Sequence, residues 1–192
     1  MKTSAARQDG IAALRQRLFF ANELLKLAAR ELTGDALNRQ AIAMACRQSA
    51  VLQLHAVLTG LLDDIAGRLR IERSPATLDI ATLAGALAAR GMASPELNRV
   101  ATLAENGWLR ACMAEAGLCL SSTPGGQRDE DDHDHNHDHE PAPAASGGRI
   151  AMKAVAPEHV EPLADADFAR IRSWIAGWKE LLDEFLVTLD EF

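Results

Sequence analysis

The stretch Ile11-Ala-Ala-Leu-Arg-Gln-Arg-Leu-Phe-Phe-Ala-Asn-Glu-Leu-Leu-Lys-Leu-Ala-Ala-Arg-Glu-Leu32 decides the fold. Its residues Ile11, Leu14, Leu18, Ala21, Leu25, Ala28 and Leu32 recur every three or four positions, the period of one helix face. Asp9 is placed to cap the start of this helix and Gly34 to stop it. No proline interrupts Ala36–Arg73, so a second helix is expected to begin behind Asp35 and run to Gly67 or Arg70. Its stripe is Met44, Val51, Leu54, His55, Leu58, Leu62, Ile65 and Leu69. At ~1.5 Å per residue it spans ~50 Å unless Gly60 bends it. The tight Thr33-Gly34-Asp35 connection makes the two helices an antiparallel hairpin.

Beyond the hairpin the punctuation becomes denser. Ser74-Pro75 and Ser94-Pro95 each pair a capping hydroxyl with a proline suited to the first helical position, and Gly91 closes the segment between them. Helices are expected at about 77–90, 95–105 and 108–120, the last two divided by Asn106-Gly107. From Ser121 to about Gly148 the chain is Gly, Pro, Ser, Asp and His, a composition that buries no apolar surface and predicts disorder. Ile150–Val155 reads as an extended segment ended by Pro157. A last helix behind Asp165 carries Phe168, Ile171, Ile175, Trp178, Leu182, Phe185 and Leu189, with Trp174, Leu181 and Phe192 widening the stripe. Such a face must be covered, so this helix is expected to pack back on the hairpin.

The fold class is therefore all-α, an antiparallel bundle of five or six helices. The expected organisation is a bundle over 1–120, an acidic His/Asp-rich linker over 121–149, and an extended segment with the C-terminal helix over 150–192. Composition agrees: of 192 residues 48% are apolar but only 4% aromatic, with no tyrosine, which favours helices over strands. The net charge of -7 is localised. Residues 129–140 hold seven acids and no base, and the remaining chain balances 20 basic against 20 acidic residues. A near-neutral domain tends to associate, and the tract moves the chain away from that point.

That tract, Asp129-Glu-Asp-Asp-His-Asp-His-Asn-His-Asp-His-Glu140, is the one segment with conspicuous chemistry. In an extended chain His133, His135, His137 and His139 share one side; in a helix they form two i, i+4 pairs. Either arrangement offers nitrogens to Zn²⁺ or Ni²⁺, with the carboxylates concentrating cations. The competing reading is a solvated linker, and no cofactor is required by anything else in the chain.

Other chemistry is thin. Cys46, Cys112 and Cys119 are odd in number and lack Cys-x-x-Cys spacing, which argues for small buried hydrophobes rather than a disulfide framework or zinc ribbon. His55, on the apolar stripe, reads as a core residue, since the seven residues between Arg47 and His55 depart from the ribonuclease spacing of HEPN-like proteins. Asp63 and Asp64 diverge by ~100° on a helix and do not form a catalytic pair. No nucleotide-binding or hydrolase motif occurs. The N-terminus shows no apolar signal segment and no uncharged run reaches ~18 residues, so a cytoplasmic location without a membrane partner is expected. Few aromatics and overall acidity disfavour nucleic acid, although Arg68, Arg70 and Arg73 cluster.

The patterns Leu18-Phe-Phe-Ala-Asn-Glu-Leu-Leu-Lys-Leu-Ala, Gln48-Ser-Ala-Val-Leu-Gln-Leu-His-Ala-Val-Leu-Thr-Gly-Leu-Leu-Asp-Asp-Ile-Ala-Gly67, Leu-Ala-Glu-Asn-Gly-Trp-Leu109 and the closing Phe168–Leu189 helix resemble a small uncharacterised family of helical proteins from Pseudomonas-like gammaproteobacteria. The resemblance implies a cytosolic helical domain and carries no functional residues. The expected function is non-enzymatic: binding an unknown protein partner or self-association. Apolar surface left where the long second helix outruns its neighbours is the expected contact, and transition-metal buffering by the tract is the alternative.

Overall fold

The computed structural model describes residues 4–35, 37–71, 79–121 and 163–190, with side chains from Asp9 to Leu186. The expected linker, its four histidines, the Ile150–Val155 segment and Ser74-Pro75 lie outside the described residues. Within them the protein is all-α, with six helices and no strand: α1 Ser4–Leu32, α2 Arg39–Arg68, α3 Ile80–Ala88, α4 Pro95–Asn106, α5 Trp108–Ser121 and α6 Asp165–Asp190.

Helix α2 is the hub, touching each of the other five. Ala50, Val51, Leu54, Val57, Leu62 and Ile65 on it are closed to solvent, and the α1 stripe from Ile11 to Ala28 is buried as its period predicted. The antiparallel hairpin is present, with α1 packed along α2. Gly60 does not interrupt α2. It marks the place where α1 comes close, because a Cβ there would meet Leu14 Cδ2 at 2.7 Å. By length and composition α2 could cross a bilayer; within this bundle it is the core helix.

Two expected boundaries are corrected. Helix α1 begins at Ser4, so Asp9 is an interior residue rather than a cap; Ala5, Ala6, Arg7 and Gln8 are strong helix formers that carry it on. Helix α2 begins at Arg39 rather than behind Asp35, with Leu37 fully exposed in the turn before it. Among the shorter helices α4 follows its punctuation, whereas α3, expected from about 77, begins at Ile80. Asp79 caps α3 by accepting from Thr82 N–H at 2.8 Å, and the Ser94 hydroxyl accepts from Leu97 N–H at 3.2 Å with Pro95 next to it. Gly107 separates α4 from α5, since a Cβ there would lie 2.9 Å from the Leu103 carbonyl oxygen.

The C-terminal helix does pack back, against α1, α2 and α5. Phe168, Ile171, Trp174, Ile175, Trp178, Leu181, Leu182 and Phe185 are all buried. Trp178 meets Trp108 of α5 edge-on, with centroids 5.3 Å apart and planes at 76°, a contact worth about 0.5–1.5 kcal/mol beyond area burial. Gly177 makes room for it: a Cβ at that position would stand 2.6 Å from Trp108 Cε2.

Two helices end alike. After α3, Met92 N–H bonds to the Leu87 carbonyl and Gly91 N–H to the Ala88 carbonyl, with Gly91 at φ 64°, the left-handed stop that glycine favours. After α2, Ile71 N–H bonds to the Ala66 carbonyl across Arg70, which takes φ 51° without being glycine. An L side chain there costs about 1 kcal/mol. Arg70→Gly is therefore expected to raise the urea midpoint by an amount equal to about 0.5–1 kcal/mol, with the m-value unchanged.

Candidate functional site

Buried stripes account for most of the large apolar side chains, and the remainder locate the site. Phe19 is 58% exposed and Phe20 44% exposed on the outer face of α1, with ring centroids 6.0 Å apart. Both lie off the Ile11–Leu32 stripe. Phe20, Leu24 and Leu27 line one side of an open groove of about 370 Å³, and Glu23 and Gln53 of α2 complete it. Its rim is charged. Lys26 Nζ reaches Glu23 at 2.7 Å, Arg17 donates to Gln53 Oε1 at 3.3 Å, and Arg30 stands 3.9 Å from Glu31. These pairs are exposed and individually weak. An apolar floor with a charged rim is the arrangement of a protein-binding patch.

The exposed apolar side chains thus lie on α1 and α5 and not on α2, where the length of α2 had suggested them. No large hydrophobic of α2 is exposed, because α3, α4, α5 and α6 cover what α1 leaves. The signal that could have found the patch was in the sequence: two adjacent phenylalanines outside the buried period. On α5, Met113, Leu118 and Leu120 are also exposed.

Charged side chains elsewhere fasten helices. Arg47, only 9% exposed, donates to Glu115 of α5, and Arg170 of α6 approaches the other Glu115 oxygen at 3.7 Å while bonding Asp167 at 2.9 Å. Arg170 also lies 5.7 Å from the Trp174 ring centroid. Three helices meet at this group. Arg15 donates to Asp183, joining α1 to α6. At the other end Arg68 lies 3.1 Å from Asp64 and 2.8 Å from Glu96 of α4. A small cavity lies beside this cluster, between Gly10, Leu14, Gly60 and Phe185. Of the adjacent Asp63 and Asp64, Asp64 forms an ion pair with Arg68 one helical turn away.

The remaining sequence candidates are the three cysteines and His55. Burial pushes the Cys112 thiol up to about 12, with Trp178 beside it and Glu115 nearby. Cys46 is also buried and raised by burial and by Glu31, whereas Cys119 is half-buried, so the expected burial is complete for two of the three. Thiols so placed are poor nucleophiles. His55 is half-buried, and desolvation lowers its pKa. Among the described residues no group of three or more His, Cys, Asp or Glu side chains could hold a metal ion; His133, His135, His137 and His139 lie outside them. Comparison with family models, with curated proteins and with solved structures finds no match to this chain.

The Arg68 cluster makes a prediction about acid stability. Burial alone would raise the Glu96 carboxyl, but hydrogen bonds from Arg68, its own backbone amide and Ser94, with the charge of Arg68, hold it below the usual range. A carboxylate whose pKa falls on folding contributes fully above the unfolded value of ~4.3 and loses that contribution as pH drops through the folded value. Glu96→Gln is expected to lower stability by about 1–2 kcal/mol at neutral pH. Below about pH 4 the deficit should shrink, so urea midpoints of variant and parent converge toward acid.

Proposed function

We propose that this chain is a non-enzymatic helical-bundle protein that acts by binding protein, either a partner or itself, through the outer face of α1. The observation that carries the reading is the pair of exposed rings at Phe19 and Phe20 above the Leu24–Leu27 groove. Solvent exposure of two adjacent large aromatics is unfavourable by roughly 1.5–3 kcal/mol per ring relative to burial, and α1 has small or polar residues available at neighbouring positions, such as Ala12, Ala13 and Gln16. The near-balance of charge outside residues 129–140 also favours association. The proposed setting is the cytoplasm. Phe20→Asp removes an apolar side chain from the groove and leaves the buried stripe of α1 unchanged. Its far-ultraviolet dichroism and thermal midpoint are expected to stay near those of the parent, while association, or retention of a partner on an affinity column, falls by about tenfold or more. Equal association by the two proteins would overturn the α1 reading.

A second reading rests on the alternating imidazoles and acids of Asp129–Glu140: the tract binds Zn²⁺ or Ni²⁺ through His133, His135, His137 and His139. Calorimetry on the intact chain is expected to give affinity of about micromolar order, lost when residues 129–140 are deleted and weakened below about pH 6 as the imidazoles protonate. Heat unchanged by the deletion would remove this reading.

A further inference from the structure

Between the first turns of α1, the C-terminal half of α2, α4 and the end of α6 lies a small cavity, partly open to solvent. About 40 Å³ of it admits the centre of a water molecule. One water needs ~10–15 Å³ by this measure, so there is room for roughly three waters or about five non-hydrogen atoms. Its walls are apolar. Ile11 and Leu14 of α1, Leu61 of α2 and Phe185 of α6 line it and keep 8%, 6%, 4% and 6% of their surface open, whereas Leu18, Val57 and Leu62 on the same helices keep 1% or less. One end is polar. There Arg68 lies 3.1 Å from Asp64 and 2.8 Å from Glu96, and all three line the cavity at only 22%, 20% and 15% exposure. Apolar walls with a few convergent polar groups are the composition of a small-molecule site.

Gly10 keeps this space open. It sits inside α1, where glycine is less favourable than alanine. Packing does not ask for it, because the nearest neighbour of a Cβ there would be Asp64 Oδ1 at an unstrained 4.0 Å. Gly60 differs, since its missing Cβ gives Leu14 its place. The polar end sets the charge of a ligand. Arg68 already pairs with both carboxylates, and a charged ligand would have to part that set and leave a buried ion without its counter-charge. A hydroxyl can donate to a carboxylate and accept from the guanidinium with the pairs intact.

We infer that this cavity binds a small uncharged amphiphile, its branched apolar body among Ile11, Leu14, Leu61 and Phe185 and its hydroxyl at the Asp64–Arg68–Glu96 cluster. The site is on the inner side of α1 and does not depend on the outer face assigned above to protein binding.

Titration of the full-length, isotope-labelled chain with isobutanol, followed by nuclear magnetic resonance at the Gly10 and Gly60 amides, tests this. Saturation with a Kd of about 1–10 mM is expected, in keeping with a ligand of about five non-hydrogen atoms. Isobutylammonium and isobutyrate, the same body with a charged end, should bind about fivefold more weakly or less. Gly10→Ala adds a methyl to the cavity wall without a clash, so it should raise the thermal midpoint yet weaken isobutanol by about threefold. A purely structural glycine would not give that combination. Gly10→Leu fills more of the space and should weaken binding by about tenfold, with circular dichroism as the check on folding; if it does not fold, Gly10→Ala decides alone. Shifts that never saturate, or an affinity unchanged in a folded Gly10 variant, overturn the site. Tighter binding of either ion overturns the uncharged ligand.

Discussion

A single apolar helix whose buried face is wider than one neighbour can cover sets the terms of this structure. Arg39–Arg68 spans ~45 Å at helical rise and buries Ala43, Cys46, Ala50, Leu54, Val57, Leu61 and Ile65 along one stripe and Val51, Leu58, Leu62 and Ala66 beside it. One antiparallel neighbour covers only a stripe, so α1 alone cannot satisfy it. The other four helices are placed by that need. Helices α3 and α4 cover its C-terminal half, α5 lies along it, and α6 closes the gap between α1 and α5. Polar fastenings follow the same geometry: Arg47 and Arg68, both on α2, each reach a carboxylate on a covering helix.

Helical period was sufficient to place α1, α2 and α6, because each is long enough for three or more turns of one stripe to be read without ambiguity. Serine, proline and glycine placed α4 and the end of α3 to within a few residues, as the Ser94 cap and the Gly91 stop show, whereas the cap of α3 is Asp79, five residues beyond the Ser74 hydroxyl expected to serve it. What escaped the period was anything depending on a distant neighbour. The start of α1 at Ser4 reflects propensity rather than a cap. The use of Gly60 and Gly177 as clearances for Leu14 and Trp108 depends on residues far away in sequence, and no local rule reports them. The candidate site was half legible: Phe19 and Phe20 are visibly off-stripe, but whether a neighbouring helix covers them is a tertiary fact. The reverse holds for His133, His135, His137 and His139, where composition speaks plainly and the described residues do not include them.

Charge is distributed by two separate rules. Inside the bundle, ionised groups occur where a partner from another helix compensates them, as with Arg47, Glu115 and Arg170, since a carboxylate or guanidinium left alone at that depth would be strongly destabilising. On the outer face of α1, exposed charges pair with near neighbours beside apolar side chains and contribute little to folding.

The clasp between Arg15 and Asp183 joins residues 168 positions apart, and this separation orders events during synthesis. The α1–α2 hairpin is local and can form early. The surface that α6 covers, including the Trp108 ring and the Leu14 side of α1, has no lid until α6 itself has left the ribosome. Until then the emerging chain carries an open apolar trough, the kind of surface that makes incomplete folds prone to aggregate.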